Sequence, residues 1–595
     1  MTVGWGGMLR NLQTNMTKGR AAAVGAVLPV LLTAVCACSV DPLGGLDRVE
    51  EGKVVFGEEI VCSNPVEGFA RFTEVGQQVG LDFDVPPSPE DSECSIVSGG
   101  VVAEDLDGDG DVDLMFHNPE GFPLLFANDG KGVFSEVEGP GPTSVREVYQ
   151  RSVMGHSAVD LNGDGLSEVV VVGPSMALMS ENLGELQFGP WTVVFDQPSY
   201  PRVCINSSAW GDVDGDGDLD VLLPGLCEVP GPGPSEESVP DVGNFDLLLL
   251  QNDDGGFDLV EELAPAGTPG LSILAAFTDR EGDGDLDLFV GSDRAGYEDF
   301  PPSAFYRNDG LGESAAGTAE VQLFNDAPEV GADLAMSAMG FVASDLNRDG
   351  RLDYCFSDVA PSLTCLQTFG ESYVESGAAL GLIPRVAEMP GGESVDEGWV
   401  WSTWSIEAAD LDADGYRDMV AVAGIPPEFG EVEESLVWQP DAIFQGTPDG
   451  GFEDRSSEVG FLNPSTHFGL AVADLAGDGF LDLVVGPEEG RPFLWDNPCG
   501  SAHWLGVELT GAGKNRLGFG TRVEVTWDGR TEIAEVHGVR AVGQSPARLY
   551  FGMGDTPRAD RLRVVFPDGV EVVVEDVPLR RVVSVIHPEA TTELD

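Results

Sequence analysis

Basic residues are scarce in this sequence. Its 595 residues hold 30 Lys and Arg against 103 Asp and Glu, a formal net charge of −73. That balance repels phosphate backbones and anionic lipid surfaces, so nucleic acid is excluded as a partner. Histidine is rarer still: the six copies are scattered, without His-Glu-x-x-His or any other metal-ligand spacing. The sequence also lacks a Gly-x-Ser-x-Gly elbow, a phosphate-binding loop and a dinucleotide fingerprint, so no catalytic residue is assigned. The apolar run over 21–32 is too short for a comfortable membrane span.

That run follows Lys18 and Arg20 and reads as the core of a secretory signal, residues 1–37. It ends in Val35-Cys36-Ala37-Cys38, which resembles the lipobox of bacterial lipoproteins. The resemblance implies an exported protein, lipidated at Cys38 and held on the bacterial cell envelope, at the outer membrane or cell surface, by the lipid alone. Residues 38–61, polar and without periodicity, are expected to be a tether. An exported chain can oxidise its cysteines. Cys355 and Cys365 flank a turn, and Cys204 and Cys227 flank an acidic stretch; both pairs are expected to be disulfides. Cys62, Cys94 and Cys499 cannot all pair among themselves.

What the sequence has in excess is one acidic pattern, met seven times. Loop 1 sets Asp105, Asp107, Asp109, Asp111 and Asp113 at positions 1, 3, 5, 7 and 9, with Gly110 at position 6. Loop 2 follows with Asp160, Asn162, Asp164, Leu166 and Glu168, and loop 3 with Asp212, Asp214, Asp216, Asp218 and Asp220. Loop 4 has Asp279, Glu281, Asp283, Asp285 and Asp287; loop 5 has Asp345, Asn347, Asp349, Arg351 and Asp353. Loop 6 has Asp410, Asp412, Asp414, Tyr416 and Asp418; loop 7 has Asp474, Asp478, Phe480 and Asp482. Alternate oxygens on a tightly turning backbone, a Gly that accepts positive φ, a carbonyl at position 7 and a closing carboxylate suit Ca²⁺. The start matches an EF-hand loop, but the closing acid comes at position 9 and the flanks are strand-like. About five to seven ions are expected, at the weak affinities of extracellular sites. The loop beginning at Asp474 is the weakest, because Ala476 at position 3 has no oxygen, and the longer Glu281 is expected to distort loop 4.

The loops recur at spacings of 55, 52, 67, 66, 65 and 64 residues, a period that signals a propeller or solenoid. Each unit has four short apolar runs punctuated by Gly, Asn and Asp, the grammar of a four-stranded antiparallel blade. The reading is all-β: a seven-bladed β-propeller over 62–500, with residues near 68–75 completing the last blade. After residue 500 the composition shifts: 11 of the 30 basic residues but only 14 of the 103 acids lie there. Alternating runs make 501–588 a small β-sandwich-like domain, with 589–595 as a tail. Blade topology places the acidic loops on one face. The long insertions at 228–245, 294–303, 311–335, 386–404 and 426–439 are expected on the other, with Trp401 and Trp404 as candidate anchors for a partner or as packing.

The loops and the Gly-x-Phe hairpins (Gly132-Val133-Phe134, Gly450-Gly451-Phe452) resemble the FG-GAP/VCBS repeats of integrin α-subunit propellers. The C-terminal segments Asn515-Arg516-Leu517-Gly518-Phe519-Gly520 and Leu549-Tyr550-Phe551-Gly552-Met553-Gly554 resemble the ASPIC/UnbV domain. Their pairing resembles the cartilage-acidic-protein family and its bacterial relatives. The resemblance implies Ca²⁺ binding and an extracellular protein or glycan partner, and no established reaction. The expected function is adhesion or protein/glycan binding through the face opposite the loops. The alternatives are a propeller hydrolase or lyase acting on polysaccharide, and a purely structural envelope component.

Overall fold

The computed structural model describes residues 48–49, 53–87, 100–119, 121–137, 145, 153–196, 203–228, 245–252, 254–263, 271–293, 301–313, 319–385, 401–425, 439–461, 466–538 and 542–590. Cys38, Cys94, Trp399 and most of the long insertions lie outside them.

The fold is all-β. Among the described residues, seven four-stranded antiparallel units follow one another along the chain. In the first, Val101–Glu104, Asp113–Phe116, Leu124–Asn128 and Phe134–Glu136 pair in chain order. Loop 1 joins its first strand to its second, and every later loop sits at the same place in its unit. The second strands are fully buried runs such as Glu168–Gly173 and Leu-rich Asp220–Leu223. They pack between neighbouring sheets and so need apolar residues on both faces. The seventh unit takes its fourth strand from the start of the chain: Thr73 pairs with Asp496 and Glu74 with Trp495. Thr73–Glu74 lies within the segment the sequence predicted for closure.

Two expectations are corrected and two open questions are settled. Lys53–Phe56, read as tether, is a strand paired with Arg581–Ile586 of the C-terminal domain, and Arg48–Val49 pairs with Val570–Pro578. Its Lys-Val-Val-Phe sequence has the β-propensity to join an edge. The segment 311–335 is not an insertion: Ala304–Glu313 and Ala319–Asn325 are the third and fourth strands of the fourth unit. Trp401 and Trp404 are buried, donating their indole N–H to the carbonyls of Pro440 and Gly424, so they are packing residues and not anchors for a partner. The question left by three cysteines is answered by a Cys62–Cys499 disulfide. Cys355–Cys365 forms as expected across paired strands. Cys204 is also disulfide-bonded, and the register sets Cys227 on the strand facing it.

The C-terminal domain has two sheets, one including Arg522–Trp527, Arg558–Val565 and Val570–Pro578, the other His503–Thr510, Leu549–Gly554 and Arg581–Ile586. Its core residues, among them Val507, Val525, Leu562 and Val583, are continuous with those of the second and third propeller units, such as Val170, Trp210 and Leu247.

Candidate metal loops under a docked domain

Every loop is built by its own carboxylates. In loop 1, Asp105 accepts the N–H groups of Gly108 and Gly110 (2.8 and 2.9 Å), Asp107 that of Asp109, and Asp109 that of Asp111. The closing Asp113 accepts Leu106 N–H at 3.1 Å and, from the third strand, Asn128 N–H at 2.9 Å. The pattern repeats: position 1 caps Gly415 in loop 6 and Gly479 in loop 7, and position 5 accepts from Leu166, Arg351, Tyr416 and Phe480.

Burial and crowding push these acids up. Asp113 rises to about 7, Asp220 to about 8 and Glu168 to about 8, chiefly by burial, with neighbouring loop carboxylates adding to it. Asp410 and Asp418 rise well above the carboxylate range for the same two reasons. Three sets bring one oxygen from each acid within 4.8 Å of the others: Asp105, Asp107 and Asp113; Asp212, Asp214 and Asp220; Asp410, Asp412 and Asp418. These are the loops with Asp at positions 1, 3 and 9. Among the described residues no Lys or Arg pairs with a triad acid, although Gln445 donates to Asp412 at 2.9 Å; converging, desolvated carboxylates of this kind fit a hard divalent ion, whose charge offsets their repulsion.

The other loops have partners of the protein's own. In loop 4, Arg280 at position 2 is buried, pairs with Glu281 and Asp326 (2.8 Å to Asp326), and lies 4.8 Å from the Phe305 ring centroid. In loop 7, Asp474 accepts the Tyr550 hydroxyl at 3.3 Å, and Gly479 lies against Trp504, where a Cβ would come within 1.9 Å of the indole. Loops 2 and 5 carry Asn162 and Asn347 at position 3, whose side-chain amides turn toward Glu168 and Asp353.

Tyr550 and Trp504 belong to the C-terminal domain, which covers this face. Lys514 and Asn515 donate their N–H groups to Gly217 O in loop 3, and Lys514 Nζ pairs with Asp218. Arg522 donates to Gly350 O in loop 5. Gly554 N–H reaches Ala413 O in loop 6 at 2.8 Å, and Gly552 faces Asp410, where a Cβ would come within 2.0 Å of the carboxylate. From this face residues 537–538 and 542–545 of the domain reach the innermost strands of the propeller. Gly538 packs on Trp210, the His537 ring meets Phe341 edge-on at 5.6 Å, and its Nδ1 lies 3.3 Å from Phe277 O. Gly543–Gln544 pairs in parallel with Val101–Val102. Gln544 clasps both backbone groups of Ala158, and Ser545 links Glu407 to Val472. These residues thus touch the innermost strand of all seven units. Only glycine fits where the backbones meet: a Cβ on Gly543 would stand 2.1 Å from Leu470 O.

A second set of residues went unread in the sequence. Asn128 Nδ2 donates to Val112 O and also, across the seam, to Leu475 O of loop 7. Asn182, Gln251, Asn308 and Asn497 do the same to Leu106, Leu161, Val213 and Leu411 of the preceding loop. Among the described residues these five amides bridge adjacent units, including the closure from seventh to first. The sequence showed only their Asn-rich turns. At the seam between loop 5 and the sixth unit, Gly446 stands where an amide would, and a 170 Å³ cavity lined by Asp345, Arg348, Tyr416 and Glu532 opens there.

Residues 105–171 and 160–223 match the FG-GAP-like repeat, and residues 511–592 match ASPIC and UnbV. The chain is a propeller with FG-GAP-like repeats that carries a C-terminal ASPIC/UnbV domain. No curated protein matches it. Solved structures similar to it include an Agrocybe aegerita lectin described as recognising non-reducing terminal N-acetylglucosamine, at 19% identity over 67% of this chain and 92% of that one, TM-score 0.36. BBS1N in complex with ARL6DN aligns at 8% identity over 73% and 99%, TM-score 0.36. The Photorhabdus luminescens Tc holotoxin pore aligns at 17% identity over 66% and 16%, TM-score 0.27. The ASPIC/UnbV domain is therefore the part that caps the acidic face and meets the innermost strands.

Proposed function

We propose that this protein is a Ca²⁺-binding, lipid-anchored envelope or surface protein that binds an extracellular protein or glycan through the propeller face opposite the acidic loops. The observation that carries the reading is the cover on the loop face: the ASPIC/UnbV domain lies over the acidic loops, and its residues around Gly538 and Gly543–Gln544 meet the innermost strands. A partner is left with the other face, on which the blade topology expects the long insertions. Loops over a rigid scaffold are where binding residues concentrate. Ca²⁺ at the three complete acid triads, and more weakly at the Asn-bearing loops, holds the turns that support the docked domain. The reading is non-catalytic, since no residue is assigned a chemical step.

A lipid anchor at Cys38 would suit this orientation. Lys53–Phe56 is a strand of the ASPIC/UnbV domain, and the 14 residues between Cys38 and Lys53 reach at most about 50 Å. A lipid on Cys38 would hold the ASPIC/UnbV side near the membrane and turn the insertions outward. Binding of the purified protein to a glycan array and to envelope-protein panels, before and after replacing 229–244 or 426–438 by short Gly-Ser linkers, tests the face. Loss of binding with an unchanged melting temperature is expected; full binding by both shortened variants overturns the assignment. Cys38→Ser should release the protein from the membrane fraction.

A further inference from the structure

Two neighbouring strands carry the same short pattern at their ends remote from the acidic loops. Asp113–Phe116, the second strand of the first unit, runs into His117 as Met115-Phe116-His117; Gly155–Val159, the first strand of the second unit, opens as Met154-Gly155-His156. Side chains two apart on a strand share a face, so each imidazole has a methionine on its own side. Both faces turn toward the seam between the two units, where Met115 and Ala158 share one apolar cluster.

The His117 and His156 ring centroids stand 6.0 Å apart, with the ring planes inclined by 32°. His117 is 1% exposed, and among the described residues neither of its ring nitrogens has a hydrogen-bond partner; His156 makes no close hydrogen bond and has only the Met115 backbone to pair with. Buried polar groups are ordinarily paired, so imidazole nitrogens left without a close partner in one seam call for something between them. Burial holds both imidazoles neutral: His117 is lowered to about 3, with the neighbouring His156 adding to the effect, and His156 to about 4, with the Met115 carbonyl opposing. A neutral imidazole is the metal-binding form.

We propose that His117 and His156 bind one soft monovalent metal ion, copper(I), across this seam. An imidazole nitrogen sits about 2.0 Å from a first-row ion and about 1.1 Å from its ring centre, so two rings facing one ion are roughly 6 Å apart. The spacing in the structure is already of that size. A monovalent ion adds less uncompensated charge to an apolar seam than a divalent one. Imidazole and thioether are ligands that copper(I) accepts, and Met115 and Met154, both buried, stand on the same strand faces as the histidines. The carboxylate loops lie at the opposite ends of these strands and select hard divalent ions, so the molecule would carry two metal chemistries at its two ends.

The test is competition of the Ca²⁺-saturated full chain with a chromophoric copper(I) chelator, under ascorbate, which leaves disulfides intact. The wild type is expected to hold one equivalent of copper(I) more than either His117→Gln or His156→Gln, with an unchanged Ca²⁺ content. Should both variants fail to fold, copper K-edge absorption of the loaded wild type decides alone: imidazole nitrogen scatterers support the site. Equal copper content in folded wild type and variants, sulfur-only scattering, or no uptake would overturn it and leave ordered water as the occupant of the seam.

Discussion

The loops at 105–113 and 410–418 have the same ligand set, with Asp at positions 1, 3, 5 and 9 and Gly at position 6, but different surroundings. In the first, Asp109 and Gly110 are exposed, and a Cβ on Gly110 would meet nothing within 4 Å. In the second, Gly415 lies under Trp527 and Gly552, and the Asp410 carboxylate abuts the ASPIC/UnbV backbone. One motif therefore has two mechanical roles. The open copy braces a single blade turn. The covered copy is also part of an interdomain contact, so an ion there is linked to docking as well as to the turn.

Chelation is expected to have the largest effect. An ion present at ten times its Kd contributes about 1.4 kcal/mol per occupied loop, and three complete triads act together. Calorimetry with and without chelator measures the sum. Hydrogen exchange separates the loops: in chelator, amides of 105–113 should exchange at least tenfold faster than those of 410–418, and equal rates would erase the distinction between them. Next comes Gly552→Leu, whose side chain must displace Asp410; a loss of about 1–3 kcal/mol is expected from denaturant unfolding. Gly110→Ala, in open space, should cost about 1 kcal/mol for its positive φ alone. A similar cost for both would mean the cover is loosely held. Asn497→Ala and Asn128→Ala each orphan two carbonyls at seams beside loop 6 and loop 1, and each should cost about 1–3 kcal/mol. Equal losses there would assign the difference between the loops to the cover and not to the seams. The smallest change is expected for Lys514→Ala, which removes a partly exposed pair with Asp218 worth about 0–1 kcal/mol and lessening with salt.

The repeat architecture was legible because it is periodic. Asp105, Asp160 and Asp212 recur at blade spacing, and a Gly at position 6 marks each turn. The closing strand at Thr73–Glu74 was legible from counting, since the seventh unit ends one apolar run short. What the sequence hid were contacts that have no period. Gly543 and Gln544 read as an unremarkable Gly-Gln, because their partners, Val101, Ala158 and Leu470, lie 70 to more than 400 residues away. Asn128 and Asn497 read as turn residues, because a side-chain amide reaching the next blade leaves no trace in local pattern. Lys53–Phe56 was too short and too isolated to be told from a polar linker until its partner strand was known. Trp401 and Trp404 were ambiguous for the opposite reason: an indole serves a partner and a core equally well, and only burial decides.

The meeting of the two ends of the chain has a consequence for how the molecule comes into being. Thr73–Glu74 pairs with residues more than 400 positions later, Cys62 bonds to Cys499 across 437 residues, and Lys53–Phe56 waits for Arg581–Ile586. A ribosome or an export channel delivers the beginning first. Residues 53–56, Cys62 and 73–74 therefore lack these partners until residues 495–586 have emerged. Contacts this distant in sequence make closure slow, and the early strands spend that interval with unpaired edges open to aggregation. The high negative charge of the nascent chain is suited to that interval, keeping like chains apart until the ring and its cover are complete.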